Sequence, residues 1–567
     1  MTGRVATGLS TAVWIASLVI VLPYLQPDTT STYAWSDGGG LLDVTLAVHL
    51  DALSARLVLL VTTVTVLVQL FSTSYMRGDP RYRSYTALIG LFEVAMLTVV
   101  VADDLFVLLV GWEVMGLCSW LLIGHHWELP AARAGAVKAF VMTRFGDLGL
   151  LVAIVVTGQA FDTYRISEVL AQLGSGERPP AGIGLLLVLA VVGKSALFPL
   201  HTWLADAMPG PTPISALIHA ATMVVAGVYL VARLLPLFTP AALTVLALVA
   251  ALTMVLGALF ALVQTDLKRL LAWSTVSQLA YMYAALAASD ADAAIDHLLS
   301  HGAFKALLFL VAGTIAHATG STALRDMGAL RRSMPLTFAT ATVGLAALAG
   351  VVPTSGFFSK DAVLAAVQGA TAGDGPLQPA VAWILLAAGL VTVVLTAAYA
   401  TRAWLLVFFG VAGQSHQRAA PADPGAAMVG PLVVLGVLTL ALSLSAEPHV
   451  VVGIVTTVLL LVGAAASGAS WRAGRDPAVL AGPARAALER ELDIDDRYLW
   501  LAGAVRRAGT MVVAGDRDVI DAYPRGVGAL ARLGSGLLHR TQARNAQSYA
   551  TVLAIGALAV AVAVIGR

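Results

Sequence analysis

The sequence predicts an all-α polytopic membrane protein with about 15 transmembrane helices. Of the 567 residues, 59% are hydrophobic and only 12% are charged, whereas soluble proteins carry about 25% charged residues. A membrane-spanning helix needs about 20 apolar residues in a row, and about fifteen such stretches follow one another. The first contains TAVWIASLVIVL and has no clear small-residue cleavage site, so it is interpreted as a retained span rather than a signal peptide.

The hydropathy pattern places the helices in order along the chain. The predicted helices lie near 6–23, 49–71, 86–102, 105–125, 132–158, 181–200, 213–235, 241–263, 268–288, 295–318, 337–370, 380–411, 426–445, 449–467 and 546–566. The helix at 337–370 is interrupted at VVPTSG. We expect it to cross the membrane once, as a single broken helix.

The distribution of basic residues supports this layout with the N-terminus inside, because cytoplasmic loops carry an excess of Lys and Arg. The outer loops hold only Arg165 and Arg178 and are otherwise acidic or neutral. The basic residues assigned to the inner loops are Arg77, Arg81, Arg83, Lys268, Arg269, Arg325, Arg331, Arg332 and Arg418.

Residues 470–545 differ from the rest of the chain because they hold twelve arginines among interspersed apolar residues. In DRDVIDAYPRGVGALARLGSGLLHR the apolar residues have helical spacing, which predicts an amphipathic helix at the inner membrane interface. Pro524 and several glycines are expected to bend it. A partly disordered inner loop is the alternative.

Composition excludes several classes of function. The net charge of +1 gives no indication of nucleic-acid binding. The single cysteine, Cys118, rules out an internal disulfide framework, Cys-ligated iron–sulfur clusters and multi-Cys zinc sites. The sequence has no G-x-G-x-x-G after a strand and no P-loop, so neither a redox cofactor nor ATP is expected to bind to this chain.

Lysine is rare, and its positions are unusual. The chain has five lysines and twenty-nine arginines, and only Lys268 is interpreted as a plain inner-loop residue. The other four, Lys138, Lys194, Lys305 and Lys360, lie in or beside apolar spans. Arginine stays protonated in proteins, whereas a desolvated lysine can lose its proton. Ionisable groups inside the membrane are costly and usually functional, although a GC-rich coding bias also favours arginine.

Histidines and acids also fall inside the predicted spans. His297, His301 and Lys305 follow one another at four-residue spacing, so a helix places them in one row about 12 Å long. Glu113 has no cation within helical reach and must find a partner on another helix. Asp147 can form an i,i+3 ion pair with Arg144, and a structural role for Asp147 remains open.

The remaining histidines are less diagnostic. His219 lies near the start of its span and could be either a relay or a satisfied core residue. His125 and His126 lie at a helix end, with no carboxylate or cysteine spacing that predicts a metal site. His317 lies near the inner end of its helix, where contact with solvent explains its presence.

Two proline-broken helices carry lysines in different halves of the chain. Pro199 follows Lys194 by five residues, and Pro353 precedes Lys360. Broken helices at corresponding positions of two halves are typical of inverted-repeat transporters, and the freed backbone groups at each break can bind water.

Six motifs resemble an antiporter-like family. That family includes subunit L of NADH-quinone oxidoreductase, the respiratory complex I, and large subunits of multisubunit Na⁺/H⁺ antiporters. The resemblance runs from about 50 to 410, and its most specific part is DAMPGPTPISALIHAATM. The motifs are GWEVMGLCSWLLIG, KAFVMTRFGD, GKSALFPLHTWLADAMPGPTPISALIHAATMVVAGVYL, ALVQTDLKRLLAWSTVSQLAYM, HLLSHGAFKALLFLVAG and GFFSKDAVL. The tail, with ELDIDDRYLW and QARNAQSYATVLAIG, resembles the lateral helix and last span of subunit L.

The resemblance implies a role for each buried polar residue. Glu113 and Lys194 correspond to the family's glutamate–lysine pair, with Asp147 as the acidic residue beside the first half-channel. Lys305 corresponds to the central lysine and Lys360 to that of the exit half-channel. The linking histidines correspond to His219, His297 and His301. In the resulting hypothesis, Glu113 holds Lys194 in its charged form until a conformational or electrostatic change in a neighbouring subunit separates them. The proton then passes through the histidines to Lys305 and Lys360.

The resemblance also implies a domain layout. The family fold has two inverted five-helix repeats with broken helices, followed by a lateral helix and a final span. The expected divisions are N-terminal spans at 1–85, a first repeat at 86–235, a second repeat at 241–411, additional spans at 426–467, a lateral-helix region at 470–545 and an anchor at 546–567.

Membership in complex I would make this chain a non-redox, proton-translocating subunit in a bacterial-type inner membrane. No cofactor is expected in the chain, and NADH, FMN, iron–sulfur clusters and quinone would belong to partner subunits. Its partners would be the antiporter-like neighbours in the membrane arm and the lipid bilayer. No nucleic-acid partner is expected. A Na⁺/H⁺ antiporter subunit and a proton-conducting partner in an inorganic-carbon uptake complex are the alternatives.

The sequence departs from the family pattern at its start. The family commonly has one more span before the helix near 6–23, and a mis-assigned start codon, a true loss or a variant complex would each explain the difference. Trp273 stands where the family commonly has tyrosine.

Overall fold

A computed structural model describes residues 2–26, 28–35, 44–412, 421–444, 447–542 and 545–566. Arg418, assigned above to an inner loop, lies outside the described residues. By internal contacts the chain divides into two units, 1–492 and 493–567.

The first unit is almost entirely helical, as predicted. In chain order the helices are α1 (Thr2–Val21), α2 (Ala52–Tyr75), α3 (Tyr82–Val101), α4 (Leu105–Ile123), α5 (Pro130–Phe161), α6 (Ile166–Gly174), α7 (Ala181–Lys194), α8 (Thr202–Asp206), α9 (Thr212–Ala220), α10 (Met223–Arg233), α11 (Pro240–Val263), α12 (Leu267–Ala287), α13 (Ala291–Thr319), α14 (Leu330–Ser333), α15 (Pro335–Ala349), α16 (Ser355–Thr371), α17 (Pro379–Phe409), α18 (Ala426–Ala441), α19 (Val450–Arg472) and α20 (Arg485–Glu489).

The second unit holds α21 (Ile494–Gly515), α22 (Ala522–Thr541) and α23 (Ala546–Ile565). The amphipathic segment is interrupted before the expected proline, by a π-helical turn at Asp516–Ile520. Pro524 lies in the first turn of α22, where a missing N–H costs no helical hydrogen bond. The interruption ends four residues before Pro524, and the expectation that Pro524 and several glycines bend the helix stays a prediction.

Among the described residues, eleven helices are long and apolar enough to cross a membrane. The other predicted crossings correspond to α12, α18 and two segments that are broken into shorter helices, α7–α8 and α15–α16. The all-α polytopic fold is therefore confirmed. A short antiparallel hairpin, β1 (Ser31–Ala34) and β2 (Ala47–Leu50), was not predicted.

Two predicted helices are shorter than expected. The helix predicted at 181–200 ends at Lys194, and an irregular segment leads to α8. The helix predicted at 213–235 is interrupted at Ala221 and Thr222. At the first site the segment before Pro199 cannot continue as regular helix because proline disfavours helical backbone in the preceding residue. The break near Pro199 was expected from its proline, whereas the hydropathy of 213–235 is continuous and did not reveal the break at Ala221 and Thr222.

The broken segments occupy equivalent places in two sets of five. In the set from α3 to α10 the fourth segment is α7–α8, and in the set from α11 to α17 it is α15–α16. The second break spans Gly350–Thr354, between Ala349 and Ser355. These two sets are called the first half and the second half below.

The helices α5 and α7 of the first half are in backbone contact. A Cβ placed on Gly146 would come within 2.9 Å of the Gly193 Cα, and one on Gly149 within 2.6 Å of the Leu186 carbonyl oxygen. Such close approach requires glycine. It brings the side chains of α5 next to Lys194.

Candidate functional site

Glu113 finds its partner on another helix, as expected, but that partner is Arg144 of α5. The Arg144 guanidinium forms an ion pair with the Glu113 carboxylate. Lys194 instead donates a hydrogen bond to the Trp112 carbonyl oxygen at 2.9 Å. The expected pairing of Glu113 with Lys194 is therefore absent from this structure, in which the Arg144 guanidinium of α5 pairs with the carboxylate.

Asp147 lies on the other side of Arg144. Its Oδ2 is 3.5 Å from the Arg144 Nε, which agrees with the i,i+3 pair expected from the sequence. The Trp112 indole N–H donates to Asp147 Oδ1 at 2.5 Å. The same tryptophan ring lies 4.6 Å from the Lys194 ammonium, so Trp112 connects the lysine and the carboxylate.

Gly116 makes room for two cations side by side. The position that a Cβ on Gly116 would occupy is 2.7 Å from Arg144 Nη2 and 3.4 Å from Lys194 Nζ. Like charges this close are stable only beside carboxylates, and Glu113 and Asp147 supply them. The first half therefore carries a four-charge cluster, defined here as Glu113, Arg144, Asp147 and Lys194.

The second half carries the predicted row on α13. His297, His301 and Lys305 are all fully buried. Lys305 donates to the Leu271 carbonyl oxygen at 3.1 Å and to the Ser274 hydroxyl. Both acceptors belong to α12 and are neutral.

Lys360 lies beside the second break. Its ammonium donates to the Leu348 carbonyl oxygen at 2.8 Å, and it is 5.7 Å from the Tyr281 ring. The Tyr281 and His297 rings are 6.1 Å apart, and His297 Nδ1 is 3.0 Å from the Ser359 hydroxyl. These contacts bring Lys360 to the His297 end of the row.

His219 extends the row at its other end. Its ring packs 4.6 Å from Phe309, one turn beyond Lys305 on α13. Both nitrogens of His219 and of His301, and Nε2 of His297, have no hydrogen-bond partner among the described residues. Buried polar groups in proteins are almost always hydrogen-bonded to protein or ordered water, so these nitrogens are the positions in the row at which water would bind.

Lys268 was interpreted as an ordinary loop residue, and this was wrong. It is only 5% exposed, and its ammonium donates to the carbonyl oxygens of Met208 and Gly210 at 2.5 and 2.8 Å. A cavity of about 370 Å³ is lined by Lys268, Tyr75 and His126, among others. The burial of Lys268 was missed because two adjacent basic residues, Lys268 and Arg269, are typical of an exposed loop.

Sequence reasoning also missed a contact between neutral hydroxyls of the two halves. The Ser195 hydroxyl, next to Lys194, donates to the Val224 carbonyl oxygen at 2.6 Å and is 2.7 Å from the Tyr283 hydroxyl of α12. Hydroxyls inside an apolar span produce no charge anomaly, so nothing in the sequence distinguished them.

An ion-pair chain joins the two halves near the first break. Asp206 accepts from Lys138 at 2.5 Å and from Arg269 at 2.8 Å, and Arg269 also reaches Glu491 at 2.5 Å. Lys138 therefore has a structural partner outside the row.

His125, His126 and His317 are at helix ends. His317 is exposed, in agreement with the sequence interpretation. The sequence spacing predicted no carboxylate beside His125 and His126. This was wrong, because the fold brings Asp79 to within 3.2 Å of His125 Nε2. Sequence spacing missed this contact because 46 residues separate the two partners.

A family described as NADH:quinone oxidoreductase/Mrp antiporter, transmembrane region, matches residues 102–396, which is just over half of the chain. The chain belongs to this family. A second family, described as the N-terminus of chain 5 of NADH-ubiquinone oxidoreductase (complex I), matches residues 35–86.

Curated relatives agree with this membership. NADH-quinone oxidoreductase subunit L of Mycobacterium tuberculosis is 38% identical, and the match covers 94% of this chain and 88% of the relative. Subunit L of Escherichia coli is 42% identical over 73% of this chain and 66% of its own length.

Two solved structures have the same fold. A chain of the Mrp complex from a Dietzia species has a TM-score of 0.75 and 28% identity, and the match covers 95% of this chain and 60% of that chain. A chain of an archaeal membrane-bound sulfane sulfur reductase has a TM-score of 0.71 at 20% identity, over 99% and 98% of the two chains, and supports the fold alone.

Family membership confirms the resemblance found in the sequence and a multi-pass location in a bacterial plasma membrane. It makes the chain one subunit of a multisubunit membrane complex and implies that redox cofactors are bound by partner subunits. The domain boundaries and the roles of the site residues stay predictions.

Proposed function

We propose that this chain is a proton-translocating, non-redox membrane subunit of a respiratory NADH-quinone oxidoreductase. Protons would move along the four-charge cluster, the α13 row and Lys360, while quinone is reduced elsewhere in the complex. NADH, FMN, iron–sulfur clusters and quinone would be bound by partner subunits, with antiporter-like neighbours in the membrane arm.

The four-charge cluster would act as the switch. The side chains of Glu113 and Arg144 are 32% and 30% exposed on the surface of this chain, so a neighbouring subunit can reach them. Movement of the Arg144 guanidinium away from Glu113 would bring it closer to Lys194. The Lys194 ammonium would then be less stable and would release a proton, because a nearby like charge disfavours the charged form.

The α13 row would carry the proton onward. One helical turn of about 5.4 Å separates its members, which is longer than a hydrogen bond. Each transfer therefore needs a bridging water or hydroxyl, and the unpartnered nitrogens of His219 and His301 can bind such waters. Ser274 and Ser359 supply hydroxyls at Lys305 and His297.

One observation carries the proposal. Lys194, Lys305 and Lys360 are at most 2% exposed, and each donates to a neutral carbonyl oxygen. A buried ammonium held by neutral oxygens can gain or lose its proton without breaking a fixed ion pair. Structural lysines are usually paired with carboxylates, as Lys138 is with Asp206.

The substitution Lys305→Met tests the proposal in the assembled complex. We expect NADH-driven proton uptake into inverted membrane vesicles to be abolished, with assembly intact on native gels. The matched control is Lys138→Met, which removes a lysine outside the row and should retain pumping. Full pumping by an assembled Lys305→Met complex would contradict the proposed route.

A second candidate function is a subunit of a multisubunit Na⁺/H⁺ antiporter. It is favoured by the similarity to the Mrp chain at a TM-score of 0.75. Sodium-dependent proton flux in vesicles lacking NADH would support it, whereas flux that requires NADH and ignores sodium supports the first candidate.

A further inference from the structure

Three potential metal ligands lie together at one end of the first half. One ligand atom from each of Asp79, His125 and His126 lies within 4.8 Å of the others. Asp79 belongs to the turn between α2 and α3, whereas the histidines follow α4. Two separate loops therefore build the cluster, which neither could form alone.

The contact between the two loops has nearly the geometry of a metal site. The His125 Nε2 and Asp79 Oδ2 atoms are 3.2 Å apart. Ligands at about 2.0–2.2 Å from a tetrahedral Zn²⁺ are themselves separated by roughly 3.3–3.6 Å. The other Asp79 oxygen accepts the Arg81 backbone N–H at 2.8 Å, which fixes the carboxylate. The His125 and His126 rings are 4.8 Å apart.

The positive charges of Arg77 and Arg81 lie near the cluster and would repel a cation, but one is screened by solvent and the other is paired with a carboxylate. The Arg81 guanidinium donates to both carboxylate oxygens of Glu128, at 2.9 and 3.0 Å. Arg77 is exposed, so its charge is screened by solvent and salt. The carboxylate of Asp79 therefore remains available to a metal.

The cluster also has an open side. A cavity of about 450 Å³ is lined by Asp79 and His126, with Tyr75, Arg77 and His317. This volume holds several waters. A metal on the three side chains could therefore take its fourth ligand from solvent.

We propose that Asp79, His125 and His126 form a binding site for a divalent first-row transition metal, with Zn²⁺ as the best match. Two imidazoles and one carboxylate suit Zn²⁺, whereas Mg²⁺ and Ca²⁺ prefer oxygen ligands. The metal would replace the imidazole proton that His125 donates to Asp79 and would cross-link the two loops.

The site has a consequence for transport, which rests on the proposed function. Tyr75 and His126 also line the 370 Å³ cavity that contains Lys268. A metal that fixes the His126 ring would restrict water in both cavities. Bound Zn²⁺ should therefore slow proton uptake from this end of the chain.

Zinc binding is tested on the purified, chelator-treated complex by calorimetric titration with ZnCl₂. The wild-type complex and the control His449→Ala, which removes an exposed histidine at the start of α19, should bind one more tight Zn²⁺ per chain than His126→Ala. Asp79→Asn, a variant of the same shape, should weaken that binding at least about tenfold. Equal stoichiometry and affinity in the wild type and both site variants would overturn the proposal.

Zinc inhibition of NADH-driven proton uptake separates the site from its consequence. Loss of inhibition in His126→Ala, with inhibition retained in His449→Ala, supports both. If calorimetry shows the His126-dependent site but inhibition is the same in all variants, the metal site stands and its link to the Lys268 cavity is wrong.

Discussion

The two halves share one architecture but surround their lysines differently. In the first half, Lys194 lies beside Arg144 and close to Asp147, within the four-charge cluster. In the second half, the hydrogen bonds of Lys305 and Lys360 go to neutral carbonyl and hydroxyl oxygens. The first half therefore surrounds its lysine with three charged groups. In the second half, Lys305 is held by neutral oxygens, and the carboxylate near Lys360 is that of the adjacent buried Asp361.

This difference assigns different tasks to the two halves. A lysine among formal charges responds strongly when one charge moves, because Coulomb energies in a low-dielectric interior amount to several kcal/mol. Among the described residues Lys305 forms no ion pair, so the transfer of its proton does not require one to break. We infer that the first half responds to the partner subunit and that the second half conducts.

Among the variants that test this comparison, the largest effect is expected when a carboxylate is placed beside a lysine of the second half. In Ser274→Asp a carboxylate replaces the hydroxyl that accepts from Lys305. A fixed ion pair should hold Lys305 in its protonated form. We expect NADH-driven proton uptake by inverted vesicles to fall at least about tenfold, since a pair worth 1.4 kcal/mol or more costs a factor of ten.

The control for this change is Ser274→Ala. It removes the hydroxyl without adding charge, and the Leu271 carbonyl oxygen remains as an acceptor. We expect it to keep most of the pumping. If Ser274→Asp pumps as fast as Ser274→Ala, then neutral surroundings are not what the second half requires.

Removing a charge from the first half should have a smaller effect. In Glu113→Gln the Arg144 guanidinium loses its carboxylate partner and can turn toward Lys194. We expect proton uptake to fall about three- to fivefold, by about 0.7–1 kcal/mol in activation free energy, while NADH oxidation by detergent-solubilised complex changes less. Glu113→Asp keeps the charge and should restore most of the rate, and equal loss in both variants would point to packing rather than charge.

Trp112→Phe should have a smaller effect again. It keeps the aromatic ring near Lys194 and the backbone carbonyl but removes the indole N–H that donates to Asp147. Trp112 is a positioning residue, so we expect a shift in the pH dependence of proton uptake with a two- to three-fold change in rate, in line with about 0.5 kcal/mol. An unchanged pH profile would show that the hydrogen bond from the indole N–H to Asp147 has no influence on proton transfer.

A carboxylate that pairs with α17 of the second half should affect stability and leave transport unchanged. Burial raises the pKa of Asp476, but the hydrogen bond and charge of Arg402 outweigh it and leave this pKa below its ordinary value. The Arg402 side chain is 1% exposed and that of Asp476 is 34% exposed. Asp476→Asn should therefore cost about 1–3 kcal/mol at pH 7, and should lower the melting temperature of the complex.

The pH dependence of that loss has a defined sign. The contribution of Asp476 is present above the unfolded pKa of about 3.9 and disappears as pH falls through the lowered native pKa. The difference in melting temperature between wild type and Asp476→Asn should therefore shrink below about pH 4. A difference that stays constant down to pH 3 would mean that the ion pair is not its source.

Most of the helices could be predicted from the sequence, because apolar runs of about 20 residues have few alternatives in a membrane. The twelve unbroken predicted helices agree with the structure to within five residues at each end. The interruption at Ala221 and Thr222 was missed, since neither residue changes the hydropathy. The hairpin formed by β1 and β2 was missed because it is short and lies outside the spans.

The site was predictable where an ionisable residue stands out from apolar neighbours. The row of His297, His301 and Lys305 follows directly from helical spacing. Pairings between helices could not be derived in this way, because which cation reaches Glu113 depends on how α4, α5 and α7 pack. Lys268 was misjudged because a lysine at the start of a helix looks solvent-exposed until its carbonyl acceptors are known.

The glycine contacts between α5 and α7 determine which parts of the first half can be adjusted. Helices whose backbones already touch at Gly146 and Gly193 cannot slide or close further. We therefore expect the distance between the axes of α5 and α7 to stay fixed during transport, while side-chain rotamers on these two helices change. A cross-link placed between α5 and α7 should leave the working cycle untouched, whereas one that fixes the Arg144 side chain should stop it.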